Sequence, residues 1–88
     1  MLFETLTIKD IKIKTGNLVK LLRKKENLSQ DQLAVTLDLS RITIQNLESG
    51  KNITLDTLLK VFQHFDILEK FDHFVDDEIK NRNYSSLY

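Results

Sequence analysis

Apolar and polar residues first alternate along this chain and then settle into helical spacing. Between Thr5 and Lys14 the residues Leu6, Ile8, Ile11 and Ile13 are set among polar neighbours, with Asp10 in the middle. Two short alternating runs of this kind predict an extended strand with a kink or bulge. A lone strand cannot satisfy its own backbone groups. It needs a partner, and a second copy of the chain is the obvious source. Gly16 then releases the chain into a helix. From Asn17 to Glu26, Leu18, Val19 and Leu22 share one helical face, with Lys20, Arg23, Lys24 and Lys25 outside. Asn27 stands where a helix end takes a left-handed residue.

Ser29 is a good N-cap, and Gln32 three residues later completes a capping box. Leu33, Ala34 and Leu37 make the apolar stripe of this second helix. Ser40 caps a third, whose inward face is Ile44 and Leu47 and whose stop is Gly50. Thr54 caps a fourth, with Leu55, Leu58, Leu59, Phe62 and Phe65 as its face. Asp66 interrupts it, and Leu68, Phe71, Phe74 and Val75 continue at helical spacing as a fifth helix. The residues from Asp76 to Tyr88 are mostly polar and predict a flexible tail. The expected organisation is an N-terminal strand or arm over 1–14, one helical domain over 15–75 and a polar tail over 76–88. No repeat, linker or low-complexity tract breaks it.

Composition adds bounds. Eighty-eight residues, 41% apolar and with five Phe, two Tyr and no Trp, give room for one domain with a modest core. Dimerisation would add to that core. The absence of cysteine excludes a disulfide framework and a thiolate metal site. No apolar run approaches the roughly 18 residues that span a bilayer, and the N-terminus lacks the pattern of a signal peptide. A cytoplasmic protein is expected. The net charge is zero, but it is unevenly spread. Residues 1–51 carry nine Lys/Arg against six Asp/Glu, and residues 52–88 carry four against seven. Such a chain can present a basic face to phosphate and an acidic face elsewhere.

Residues 28–51, LSQDQLAVTLDLSRITIQNLESGK, carry the most specific signal. Two short helices joined by a tight turn are the pattern of a helix-turn-helix, which lays its second helix in the DNA major groove. Ala34 is the small residue that lets the helices approach, Leu39 plugs the gap, and Ile44 with Leu47 anchors the second helix from below. Arg41, Ile42, Thr43, Gln45 and Asn46 then face outward. Arg forks to guanine, Gln and Asn pair with adenine, and an Ile or Thr methyl meets the thymine methyl.

On Leu28-Ser29-Gln30, Gln32-Leu33-Ala34, Leu39-Ser40-Arg41, Thr43-Ile44 and Glu48-Ser49-Gly50-Lys51, the chain resembles the Xre/Cro-like family of prokaryotic repressors over about residues 15–65. The resemblance implies an all-α, five-helix, lambda-repressor-like domain that binds double-stranded operator DNA. It implies that Gln30 supports a phosphate and touches the first recognition-helix side chain, and that Lys51 contacts phosphate. The chain departs from the family at Asp38, where glycine is usual in the turn. Asp tolerates the left-handed backbone better than most residues, at a small cost in stability. Thr54 to Leu59, Phe65 to Leu68 and Phe71-Asp72 resemble the C-terminal part of HipB-like antitoxins, which implies a HipA-family kinase toxin as partner and repression of the chain's own operon.

Other residues have plainer readings. Lys20, Arg23, Lys24 and Lys25 form either a wet helix face or a phosphate contact. The phenylalanines are core or dimer interface. His64 and His73, nine apart, have no companion ligands for a metal. Asp76, Asp77 and Glu78 are a solvated cluster or a dock for a basic partner. Ser29, Ser40 and Ser49 are caps and turn residues, with no His or Asp spacing that makes a nucleophile. No enzyme, cofactor or metal is expected. The favoured reading is a sequence-specific DNA-binding repressor that is the antitoxin of a HipA-family kinase toxin and regulates its own operon. The alternative is a stand-alone phage or mobile-element repressor without a toxin, and a third reading is a protein-interaction module. A homodimer could form through the N-terminal strand or the fifth helix.

Overall fold

The computed structural model describes residues 5–86, with side chains through residue 83. Five helices follow one another: α1 (Ile8–Lys25), α2 (Gln30–Leu37), α3 (Arg41–Glu48), α4 (Leu55–His64) and α5 (Leu68–Ser86). The first four begin on hydroxyl caps. Thr7, Ser29, Ser40 and Thr54 each accept a hydrogen bond from the backbone N–H three residues on, which satisfies a donor that the helix itself cannot.

The same four helices also end alike. Asn27, Asp38, Gly50 and Asp66 all have positive φ, between 55° and 79°. In each case the following residue donates its N–H to the carbonyl five residues back: Leu28 to Arg23, Leu39 to Ala34, Lys51 to Asn46 and Ile67 to Phe62, at 2.8–3.1 Å. This closing turn satisfies the last free carbonyls and normally carries a following apolar residue onto the helix. Leu28, Leu39 and Ile67 do pack against the core.

The core is small. Val19 of α1, Leu33 and Ala34 of α2, Ile44 and Leu47 of α3, and Val61 and Phe65 at α4 are buried. Helix α3 packs against both α1 and α2. The approach of α1 to α3 is fixed at Gly16, where a Cβ would stand 2.5 Å from the Leu47 carbonyl oxygen and 2.7 Å from that of Glu48. Gly16 is therefore a packing glycine within α1 and not the point where the helix starts.

The expected N-terminal strand is not present among the described residues; helix α1 already begins at Ile8. Thr7 and Asp10 form a capping box that nucleates it. The alternation of isoleucines misleads because the inward stripe of α1 is not made of them. It runs through Thr15, Gly16, Val19, Leu22 and Arg23, while Ile8, Ile11 and Ile13 stay exposed. Residues 1–4 of the expected arm lie outside the described residues. The expected flexible tail is also corrected, since α5 continues to Ser86. Ion pairs one turn apart, Asp76 with Lys80 and Glu78 with Arg82 (both 3.2 Å), favour helix in a polar sequence. Residues 87–88 lie outside the described residues.

Inward and outward faces differ in places from the periodicity. In α4 the buried residues are Thr57 and Val61, whereas Leu55 is exposed. In α5 no side chain through residue 83 enters the core. Phe71 packs on Phe62 of α4 with ring centroids 6.1 Å apart, and Phe74 follows at 6.3 Å from Phe71 but is itself exposed. Among the described residues, no helix is long and apolar enough to cross a membrane.

Candidate nucleic-acid interface

Helix α3 is clamped from behind. Ile44 is fully buried and Leu47 nearly so. Burying such side chains contributes about 1.5–3 kcal/mol each. At roughly 100° per residue, Arg41, Gln45, Ile42 and Asn46 occupy one continuous outer arc. Arg41, Ile42 and Gln45 are exposed and Asn46 is half-buried. Ile42 keeps 66% of its surface in solvent, although it is fully apolar. Thr43 lies at the edge of the arc. It is half-buried, and its hydroxyl is 2.8 Å from that of Ser40.

The arc is held at both ends. At the start, Ser40 accepts from the Thr43 N–H at 3.1 Å. At the finish, Glu48 is buried against Arg23 of α1. Arg23 Nε donates to one carboxylate oxygen at 2.6 Å and Nη2 to the other at 2.9 Å, while Nη1 donates to the Leu28 carbonyl at 2.8 Å. Burial alone would raise the Glu48 pKa, but the hydrogen bonds from Arg23 and Gln30 outweigh it and hold the group below its ordinary value. The bond to Glu48 raises Arg23 above its ordinary value. The sequence reading placed Arg23 on an outer basic face. The structure buries it.

Gln30 lies at the start of α2 and is half-buried. Its side-chain amide donates to Glu48 Oε1 at 3.1 Å. Its partner in the third helix is thus the last residue and not the first. The first, Arg41, faces Asp31 instead, with Nε 3.7 Å from Oδ1 and both side chains largely in solvent. Sequence periodicity gave no sign of Asp31 or of the Arg23–Glu48 pair, because each depends on which faces of separate helices meet.

Lys51 follows Gly50 in the closing turn of α3. In the other three closing turns this position is a leucine or isoleucine folded onto the core; here it is an exposed lysine. Beside it, Lys12 of α1 donates to the Asn52 side chain. Lys12, Lys51 and Asn52 therefore stand near one end of α3. Among the described residues no group of three or more His, Cys, Asp or Glu could hold a metal ion.

The profile described as Helix-turn-helix matches residues 19–69. The chain is also 46% identical over 54 residues to control protein C.MunI of a Mycoplasma species, a match covering 59% of this chain and 73% of that protein. The family match spans the two short helices α2 and α3 and the turn between them. The chain belongs to the Xre/Cro-like helix-turn-helix family and is a DNA-binding transcriptional regulator.

Proposed function

We propose that this chain is a stand-alone, homodimeric, sequence-specific repressor, of the phage or mobile-element kind, that acts without a toxin partner. The observation that carries the reading is the outer arc of α3, where Arg41, Ile42, Gln45 and Asn46 stand together in front of a fully buried Ile44. Likeness to a control protein favours this over the HipB-like antitoxin. Each α3 would enter one major groove, with half-sites about 34 Å apart. Gln30 and Lys51 would flank it toward phosphate, and Arg41, Ile42, Thr43, Gln45 and Asn46 would supply the choice of sequence. No catalytic role is assigned to any residue.

The dimer surface follows from what the fold leaves over. With no strand at the described N-terminus, α5 remains. Its 19 residues project beyond the core, and Phe74, Val75 and Ile79 are 60%, 37% and 51% exposed. The radius of gyration is 15.7 Å, against about 12 Å for a compact chain of this length. A helix that extends away from its own core with an apolar row suits a second copy.

The test is a gel shift with duplex DNA from the chain's own upstream region. A retarded complex that weakens steeply with salt is expected. Arg41→Ala or Gln45→Ala should each cost on the order of 1–3 kcal/mol at one base position. Full-strength binding by both variants would remove α3 as the reading element.

A further inference from the structure

We propose that Asp31 is a specificity-determining residue that acts through Arg41, setting how strongly the protein prefers its own site over other DNA. This rests on the reading of α3 as the base-contacting helix. Asp31 is in the first turn of α2 and Arg41 is the first residue of α3, and the tight turn at Asp38 brings them together. The contact runs from Asp31 Oδ1 to Arg41 Nε at 3.7 Å. It uses the inner nitrogen of the guanidinium and leaves the two terminal nitrogens open. Those terminal nitrogens form the fork that grips the two acceptors on a guanine edge.

The charge around the pair makes it matter. Between Ser29 and Lys51 the only cations are Arg41 and Lys51, while the acids are Asp31, Asp38 and Glu48. Glu48 is already neutralised by Arg23. Arg41 is thus one of only two cations in the helix-turn-helix segment that can be offered to DNA. A free arginine on a flexible stem is drawn to any phosphate, whatever the sequence. Asp31 opposes that in two ways. It tethers the guanidinium on the outer face of α3, and its own charge repels the backbone phosphates that would draw Arg41 aside. A guanine edge presented to the tethered fork still finds both terminal nitrogens. Asp31 therefore weakens binding to unmatched DNA more than binding to the matched site.

The experiment compares the full-length chain with Asp31→Asn, Asp31→Glu, Arg41→Ala and the Asp31→Asn/Arg41→Ala double variant. Each is titrated against a duplex selected by the wild-type chain from a random pool and against a scrambled duplex, at several salt concentrations. Asp31→Asn should bind the scrambled duplex about 3- to 10-fold more tightly, with a salt slope steeper by about one. Preference for the selected duplex should fall by a similar factor. Asp31→Glu should restore it, and in the Arg41→Ala background Asp31→Asn should no longer change the preference. Because both side chains lie in solvent, the melting temperature serves as the control for folding. Tighter binding of Asp31→Asn to both duplexes by the same factor would overturn the proposal, leaving only a general charge effect. An undiminished preference in Arg41→Ala would also overturn it, since Asp31 would then have no base-reading partner to act through, whereas a wild-type chain that selects no duplex would instead remove the parent reading of α3.

Discussion

Removing the Glu48 carboxylate is the most severe single test of the fold. Glu48→Ala leaves the Arg23 guanidinium buried with its Nε and Nη2 unpartnered, and leaves the Gln30 amide without its acceptor. Breaking one side of a buried pair costs about 3–5 kcal/mol. A chain of this length has roughly 4–13 kcal/mol in total. At about 4–8 °C per kcal/mol, the midpoint should fall by some 12–40 °C. Replacing both partners by apolar residues of similar volume, as in Arg23→Met/Glu48→Leu, should recover part of this. The shortfall should be about 1–3 kcal/mol, because the Leu28 carbonyl also loses its Arg23 donor. Acid supplies an independent sign. The Glu48 pKa is held below its ordinary 4.5 in the folded chain. Its stabilisation is therefore complete above that value and is lost as pH falls through the folded pKa. The apolar pair should lack that part of the acid sensitivity. Urea unfolding followed by circular dichroism, at neutral and acid pH, reads all of these. A Glu48→Ala loss below about 1 kcal/mol would refute the claim that this pair joins α1 to α3.

Three further outcomes follow from single positions. Gly16→Ala should destabilise by about 1–3 kcal/mol or prevent folding, since its Cβ meets the backbone of Leu47 and Glu48 and not a movable side chain; a melting curve equal to wild type would mean that α1 does not cross α3 there. Asp38→Gly should raise stability by on the order of 1 kcal/mol, because it relieves a left-handed non-glycine residue at φ 55°, and thermal melting checks the sign. Ile79→Glu should leave the helical signal intact, since Ile79 does not enter the core, yet shift the chain to monomer in analytical ultracentrifugation. A dimer unaffected by it would move the interface away from the exposed row of α5.

What the sequence made legible is mostly local. Ser29, Ser40 and Thr54 read as caps because a hydroxyl needs only its own next turn. Asn27 and Asp38 read as left-handed positions because short polar side chains tolerate that backbone. Leu33, Ala34, Ile44 and Leu47 read as buried because the first two share the stripe of α2 with Leu37, four and three residues on, and the last two fall three apart in α3. The errors arise where a helix buries something other than large apolar groups. The inward stripe of α1 contains a threonine, a glycine and an arginine, so counting isoleucines pointed to a strand. The Thr7–Asp10 box was the counter-signal, and it lay inside the run taken as extended. The same bias made a polar end of α5 look unstructured, although its acids and bases are spaced to pair along a helix.

The candidate site divides along the same line. The outer arc of α3 could be inferred once its inner face was known, since a helix has only two sides. What holds that arc could not, because Arg23 and Glu48 are 25 positions apart and Asp31 and Arg41 ten. Those separations explain how the zero net charge is distributed. One acid of the helix-turn-helix segment is cancelled by an arginine from outside it, and a second stands against the arginine of its own third helix. Seven more acids lie beyond Lys51, three of them paired one turn away with Lys60, Lys80 and Arg82. The neutral sum is therefore made largely away from α3, and it sets no limit on what the outer face of that helix can meet.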